Sequence, residues 1–335
     1  MSTEASEFRI ISTIRYDPLL LTSSENSQPA LSFVSPSPFY MLVYHRDRLL
    51  EAAQHFEFPA VEERLADGKV FHNTLLEHIQ QWKEKGGQDG ALKLRILFDG
   101  GGKLTVECAI LPPLPLSSLF PTSLDRPKIE TASHLAKAFE PSPLTGGALE
   151  LGPTDSLPSR KEDPTTWKLR LDSAPTPSSP LTVLKTTHRD LYNTSRARAL
   201  PANPSAPANV EVVMYNECDE LTEGSITSIY VYRGGRWVTP PVGVPAGHFT
   251  ARTLKGEKDG ERWDEGELRK PFAGRWGHSV RGEKVGAGGQ RGTTRRWALA
   301  KGMCMEEPVS INTVRTGEGV WVSNGVIGFG FGTIV

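Results

Sequence analysis

Two neighbouring stretches carry most of the information in this chain: LKTTHRDLYNTSRARA (184–199) and MYNECDELTEGSITSIYVYRGGRWVTPP (214–241). EVVMYNE (211–217) and ITSIYVYR (226–233) are rich in β-branched and aromatic residues and predict strands on either side of ECDELTEGS. Gly234–Gly235 then turns the chain into RWVTPP. Glu223 precedes Gly224, a residue that permits close backbone approach. Lys185 stands upstream in its own LKTT context, and WKLRL (167–171) predicts a further strand before it.

Toward the C-terminus, GTTRRWALAKGM (292–303) predicts a helix capped by Thr293 and Thr294. VSINTV (309–314) and VWVSNGVIGFG (320–330) predict two more strands. Toward the N-terminus, FRIISTIRY (8–16) predicts a strand. HRDRLLEAAQHF (45–56) aligns Leu49, Ala52, Ala53 and Phe56 on one helical stripe, and residues 70–85 do the same with Phe71, Leu75, Ile79 and Trp82. LKLRILF (92–98), Gly100–Gly102 and KLTVECAIL (103–111) predict a hairpin. Residues 112–165 are rich in Pro, Ser and Thr and lack periodicity, apart from a short helix around 132–139. They predict an interdomain connection. The expected organisation is a small α/β domain over 1–111 and a second domain over 166–335, with a glycine- and charge-rich insertion at 243–290.

Composition narrows the function. With 38 basic and 39 acidic residues among 335, the chain has no field to hold nucleic acid or an anionic membrane, so neither is expected as a partner. The 3 cysteines show no CxxC spacing and the 8 histidines no HExxH, so no metal centre is expected. The N-terminus lacks the features of a secretory signal and no run reaches membrane-spanning length, which points to a soluble cytoplasmic protein. GAGGQRG (286–292) places its third glycine one position late for a dinucleotide loop, and no strand precedes it. Asn193-Thr194-Ser195 is a glycosylation triplet without a role in the cytosol.

Taken together, KTTHRD, TEGS, GTTRR and VWVSNGVIGF resemble the class IV aminotransferase-like enzymes, which bind pyridoxal 5'-phosphate on fold type IV. STIRYDP (12–18) and SPFYMLVYHRDRLLEAA (37–53) are most similar to the fungal-type aminodeoxychorismate lyases of that class. The resemblance covers 1–111 and 167–335. It implies an α/β (α+β) architecture, a small N-terminal sandwich with a larger C-terminal pseudo-barrel, and a homodimer acting on a small-molecule substrate.

The resemblance also implies roles. Lys185 would form the Schiff base and later act as a base, since both tasks need an amine. Glu223 would keep the cofactor's ring nitrogen protonated, leaving Glu217, Asp219 and Glu220 as solvated turn charges. Arg48, whose register Leu49 sets, would grip the phosphate through its guanidinium fork, with Arg46 as bystander. Thr293, Thr294 and Ser323 would add hydroxyls at a helix start and a strand end. Thr13 would donate a proton on the substrate side, flanked by Arg15 and Tyr16. Tyr192 would offer a phenol beside the lysine, from farther along the chain than aminotransferases place theirs. Phe98-Asp99-Gly100 lacks the arginine many relatives carry beside these glycines, so the clamp on the substrate carboxylate is missing or comes from elsewhere. The implied activity is 4-amino-4-deoxychorismate lyase, which yields 4-aminobenzoate and pyruvate for folate synthesis. A class IV aminotransferase on the same scaffold, acting on branched-chain or D-amino acids or amines, is the alternative. A non-catalytic protein that kept the fold is a third reading, and the intact Lys185–Glu223–Arg48 set argues against it.

Overall fold

The computed structural model describes residues 8–125, 166–177, 179–200, 209–242 and 289–335. Its N-terminal layer is a three-stranded antiparallel sheet, β1 (Ile10–Tyr16), β2 (Leu92–Phe98) and β3 (Leu104–Ile110), in that spatial order. Helices α1 (Leu42–His55), α2 (Pro59–Ala66) and α3 (Gly68–Glu84) accompany it. Ile10, Ile14 and Tyr16 alternate along β1 with Ile11 and Thr13, and the former set packs with Leu49, Ala52, Phe71, Leu75 and Ile79 in one core. The other β1 face is free to line a cavity. Helix α2 was not anticipated; it begins on Pro59 at its first turn and ends at Asp67, whose side chain caps α3 by accepting from Lys69 N and Val70 N.

The C-terminal unit is an eight-stranded sheet ordered β6-β5-β4-β11-β10-β7-β8-β9. Its strands are β4 (Trp167–Leu171), β5 (Val210–Tyr215), β6 (Leu221–Gly224), β7 (Ser228–Arg233), β8 (Arg236–Thr239), β9 (Met305–Glu306), β10 (Gly319–Asn324) and β11 (Gly328–Ile334). β4 runs parallel to both β5 and β11, and β8 parallel to β9; the other pairs are antiparallel. The sheet curls far enough for its two ends to communicate. Leu221 N donates to Val309 O at 2.8 Å, and Glu220 bridges Ser310. Leu169, Val213, Ile229, Val231, Val238, Val320 and Val322 fill the interior. This matches the expected pseudo-barrel.

Several local expectations need correction. VSINTV does not form a strand: Ser310 accepts from Asn312 N and closes a single 3-10 turn over Ile311–Thr313. VWVSNGVIGFG is the hairpin β10–β11 rather than one strand. Thr293 and Thr294 open helix α7 (Thr293–Ala300) but do not cap it. Gly292 holds the N-cap position, without a side-chain bond. The start of the proposed connection is packed: α4 (Leu116–Leu119) lies on β11, and Leu119 and Leu124 join a second core with Tyr40, Tyr230, Trp297 and Phe329. The helix expected at 132–139 and nearly all of 243–290 lie outside the described residues.

The two units are joined around β1. Ile11 N donates to Lys185 O at 3.1 Å, Thr187 N to Arg9 O at 2.8 Å, and Arg15 N to Gly325 O at 2.8 Å. Side chains add Arg291–Glu51 at 2.6 Å and Arg296–Asp47 at 2.7 Å, which tie α1 to α7 and the residues before it.

Candidate active site

A cavity of about 390 Å3 opens where these units meet. β1 supplies Ile11 and Thr13, α1 Arg48, and β2 Lys93 and Arg95. The barrel supplies Lys185, Arg189, Glu223–Ser228, Gln290, Gly292, Thr293 and Ser323–Ile327. Residues far apart in sequence thus converge because β1, the start of α7 and the β10–β11 turn all end at one place.

Lys185 follows a one-turn helix, α5 (Pro180–Val183), held by a reciprocal capping box between Ser179 and Thr182. Its backbone is left-handed at φ 54°, uncommon for a side-chain-bearing residue, and the bonds to Thr182 O and Ile11 N hold it there. Burial, with Arg48 and Arg189 nearby, pushes its ammonium well below the ordinary lysine range, while Glu223 opposes the shift. The lysine is therefore held toward the neutral amine that a nucleophile or base requires.

Glu223 lies on β6, a strand rather than a turn, and is buried. The Tyr192 hydroxyl donates to its Oε1 at 2.7 Å and Gln290 N to its Oε2 at 3.1 Å. Burial pushes its carboxyl from 4.5 up to about 6, against the lowering effect of Tyr192, Gln290, Lys185 and Arg189. The folded chain thus holds this proton more tightly than the unfolded chain. The stabilising effect is complete below pH 4.5 and is lost as pH rises through about 6, amounting to about 2 kcal/mol. Glu223→Gln has no such proton. Urea melts of cofactor-free wild type and variant should show the wild type losing ground by that amount across this window. A difference that stays flat with pH would contradict the shifted carboxyl.

Arg48 is buried, its Nη2 donates to Ser12 Oγ at 3.0 Å, and its Nε has no hydrogen-bond partner. Burial lowers its pKa to about 10, opposed by Glu51 and Glu223, so it stays cationic at neutral pH. Arg46 instead lies over the Phe33 ring, 4.9 Å away, and does not line the cavity. Thr293 and Gly292 bring the start of α7 to the cavity wall, where first-turn N–H groups favour an anion. The approach is close: a Cβ on Gly292 would sit 2.3 Å from Ser228 Oγ, and one on Gly325 would sit 2.6 Å from the His45 ring. Ser323 lines the cavity, and its hydroxyl meets Thr294 Oγ1 and the Tyr230 hydroxyl, each at 2.8 Å.

Of the residues named from sequence, Lys185, Thr13, Arg48, Glu223, Thr293 and Ser323 share the cavity. Thr294 and Tyr192, the latter on α6 (Asp190–Ala199), stand behind it: one is spent on Ser323 and the other on Glu223. Arg15 is buried and committed to Asp17 at 2.7 Å. Glu217, Asp219 and Glu220 lie before β6, away from the cavity. Sequence reading missed Lys93, Arg95, Arg189 and Gln290. Lys93 and Arg95 alternate on β2, with Arg95 opposite Thr13 and Lys93 opposite Arg15, so strand periodicity alone could have placed them. Gln290 belongs to GAGGQRG, whose last residues serve here to back Glu223 and start α7.

A buried guanidinium whose Nε has no hydrogen-bond partner, a helix start, hydroxyls, a lysine held toward its neutral form and a carboxylate in one cavity form a donor set for a phosphorylated aldehyde. Residues 148–254 match the family model described as amino-transferase class IV. Among solved structures, the chain is similar to a candidate amino-acid aminotransferase from Mesorhizobium loti, at 17% identity and a TM-score of 0.51, covering 98% of this chain and 100% of that one. It is also similar to a candidate branched-chain amino acid aminotransferase from Thermotoga maritima, at 10% identity and a TM-score of 0.51, covering 100% and 81%. No curated protein matches the sequence. The chain has the fold of the class IV aminotransferase-like proteins and carries their family signature over 148–254, and the cofactor of that class is pyridoxal phosphate. Among the described residues no helix is long and apolar enough to cross a membrane, and no group of side chains could hold a metal ion.

Proposed function

We propose that this protein is a 4-amino-4-deoxychorismate lyase, a cytoplasmic homodimer releasing pyruvate and 4-aminobenzoate. The observation that carries this reading is the cavity's charge. Among the described lining residues five are basic (Arg48, Lys93, Arg95, Lys185 and Arg189) and one, Glu223, is acidic. Arg48 would face the phosphate and Lys185 the cofactor's aldehyde, which leaves on the substrate side Lys93, Arg189, whose Nη2 donates to Ser225 O at 2.8 Å, and Arg95, which also pairs with Glu107 at 2.5 Å. These cations, one of them shared with Glu107, suit a substrate with two carboxylates, as 4-amino-4-deoxychorismate has, better than a monocarboxylic amino acid. They also stand in for the arginine absent from Phe98-Asp99-Gly100.

Arg48, Thr293, Ser323 and the start of α7 would hold the phosphate, Glu223 the ring nitrogen and Lys185 the aldehyde carbon. When bound, the cofactor supplies a sink for the electron pair left after a proton is removed beside the substrate nitrogen. Lys185 removes that proton from the amine-bearing carbon. The bond between the ring carbon and the enolpyruvyl oxygen then breaks, the ring becomes aromatic, and the enolpyruvyl group takes up a proton through the Thr13 hydroxyl, which is restored by the proton Lys185 removed, to become pyruvate. Atoms balance without water or an oxidant.

The test is a pair of coupled assays on purified holoprotein. Pyruvate and 4-aminobenzoate should appear in equal amounts from 4-amino-4-deoxychorismate with no amino acceptor present. Turnover only with a 2-oxo acid acceptor would make the protein an aminotransferase instead. Arg48→Ala should weaken pyridoxal phosphate affinity by roughly 10- to 150-fold, the loss expected for one charge-assisted contact. The residual holoenzyme should turn over at a similar rate. An unchanged dissociation constant in a titration of cofactor-free protein would place the phosphate elsewhere.

A further inference from the structure

Two buried groups, Ser12 and His45, connect Arg48 to Thr293 behind the cavity wall through three contacts. Arg48 Nη2 donates to Ser12 Oγ at 3.0 Å, Ser12 Oγ lies 2.8 Å from His45 Nδ1, and His45 Nε2 lies 3.3 Å from Thr293 Oγ1. Ser12 and His45 are completely buried, one on β1 and the other a turn before Arg48 on α1. Gly325 packs against the imidazole at Cε1 and Nε2, where any side chain would collide.

The direction of the protons follows from what each group can do. A guanidinium only donates, so Ser12 Oγ accepts from Arg48 and still has a proton of its own to place. If that proton goes to Nδ1, then the hydrogen of a neutral imidazole sits on Nε2 and points at Thr293 Oγ1. The Thr293 proton is then free for the cavity that Thr293 lines. The reverse order has Thr293 donating to Nε2 and Nδ1–H donating to Ser12. That leaves the Ser12 proton with no acceptor in a fully buried place, which is unfavourable. Imidazolium is disfavoured as well: burial, with Arg48 and Lys185 nearby, holds the ring well below the ordinary histidine range.

We infer that His45 is a positioning residue whose Nε2–H tautomer, set by Ser12, turns the Thr293 hydroxyl outward as a donor to the phosphate that Arg48 faces. Arg48 and Thr293 are thus two ends of one polarised chain, not independent contacts. The inference depends on the cofactor class and not on the lyase reading. Failure of the pyruvate assay would leave it standing, and its own failure would leave that assay untouched.

The experiment compares pyridoxal phosphate with pyridoxal, which lacks the phosphate, in titrations of cofactor-free protein. Ser12→Ala and Thr293→Val should each weaken pyridoxal phosphate binding by about tenfold while leaving pyridoxal affinity unchanged. The Ser12→Ala, Thr293→Val double variant should lose little more than either alone, because one chain has been cut twice. Equal losses for both ligands, or losses that multiply in the double variant, would overturn the proposal. Nitrogen-15 NMR of ring-labelled histidine reads the tautomer in the wild-type protein and requires no variant to fold. His45 should show hydrogen on Nε2 and none on Nδ1, and hydrogen on Nδ1 would also overturn it.

Discussion

Lys185→Ala is expected to abolish turnover while leaving a folded protein. In the proposed mechanism Lys185, which lines the cavity, serves both the covalent link and the proton transfer. Its backbone is fixed by β1 and α5 rather than by its side chain, so truncation at Cβ should leave the segment in place. The left-handed φ of 54° is no worse for Ala than for Lys, and removing a buried amine with a depressed pKa removes a desolvation cost. The thermal midpoint should therefore hold or rise as activity disappears. The cofactor's visible band should also be lost, and external amines should restore part of the rate. A coloured, active Lys185→Ala protein would end the assignment.

Glu223→Gln is expected to bind cofactor but lose a hundred- to a thousandfold in rate. The side chains are nearly the same size, and the Tyr192 hydroxyl at 2.7 Å from Oε1 can still donate to an amide oxygen. A neutral amide cannot hold a pyridinium proton. If the ring nitrogen's pKa falls by two or three units, each weakens the electron sink by up to ~1.4 kcal/mol, roughly tenfold in rate. Gln290 N would also face the amide of Gln instead of Oε2, so the backing segment should loosen slightly. The measurement is a steady-state rate at full cofactor occupancy, confirmed from the absorbance spectrum. Near-normal turnover would mean that Glu223 is structural. Glu217, Asp219 and Glu220, which lie away from the cavity, could not replace it without moving β6.

Much of this architecture is legible in the amino-acid sequence. The strands around Gly100–Gly102 and Gly234–Gly235 show period-two patterning between turn residues, and α1 and α3 show continuous apolar stripes. What failed was short. Leu221–Gly224 is only four residues long and buried throughout, so it has no polar–apolar alternation to reveal it. VSINTV has a strand's composition, but its serine is used in a one-turn helix, a competition that pattern cannot resolve.

The site divides in the same way. Lys185, Glu223 and Arg48 were found through motif resemblance, and their meeting depends on the pairing of β1 with the segment after α5, which no local pattern encodes. Thr293 and Thr294 are adjacent and chemically alike, yet one lines the cavity and the other bonds Ser323 behind it, because helix geometry points them apart. Tyr192 likewise reads as a cavity residue until its bond to Glu223 is seen. His45 is the clearest case. In sequence it is only the first residue of the HRDRL stretch, and its role appears once Ser12 on β1 and Thr293 on α7 are brought against its two nitrogens.

The most direct test is to reduce the holoprotein with borohydride, digest it and map the pyridoxyl group by mass spectrometry. The label should lie on Lys185, in the peptide bearing LKTTHR, and on no other lysine. A label on Lys93 or elsewhere, or a holoprotein that takes up no label, would contradict the assignment of this cavity.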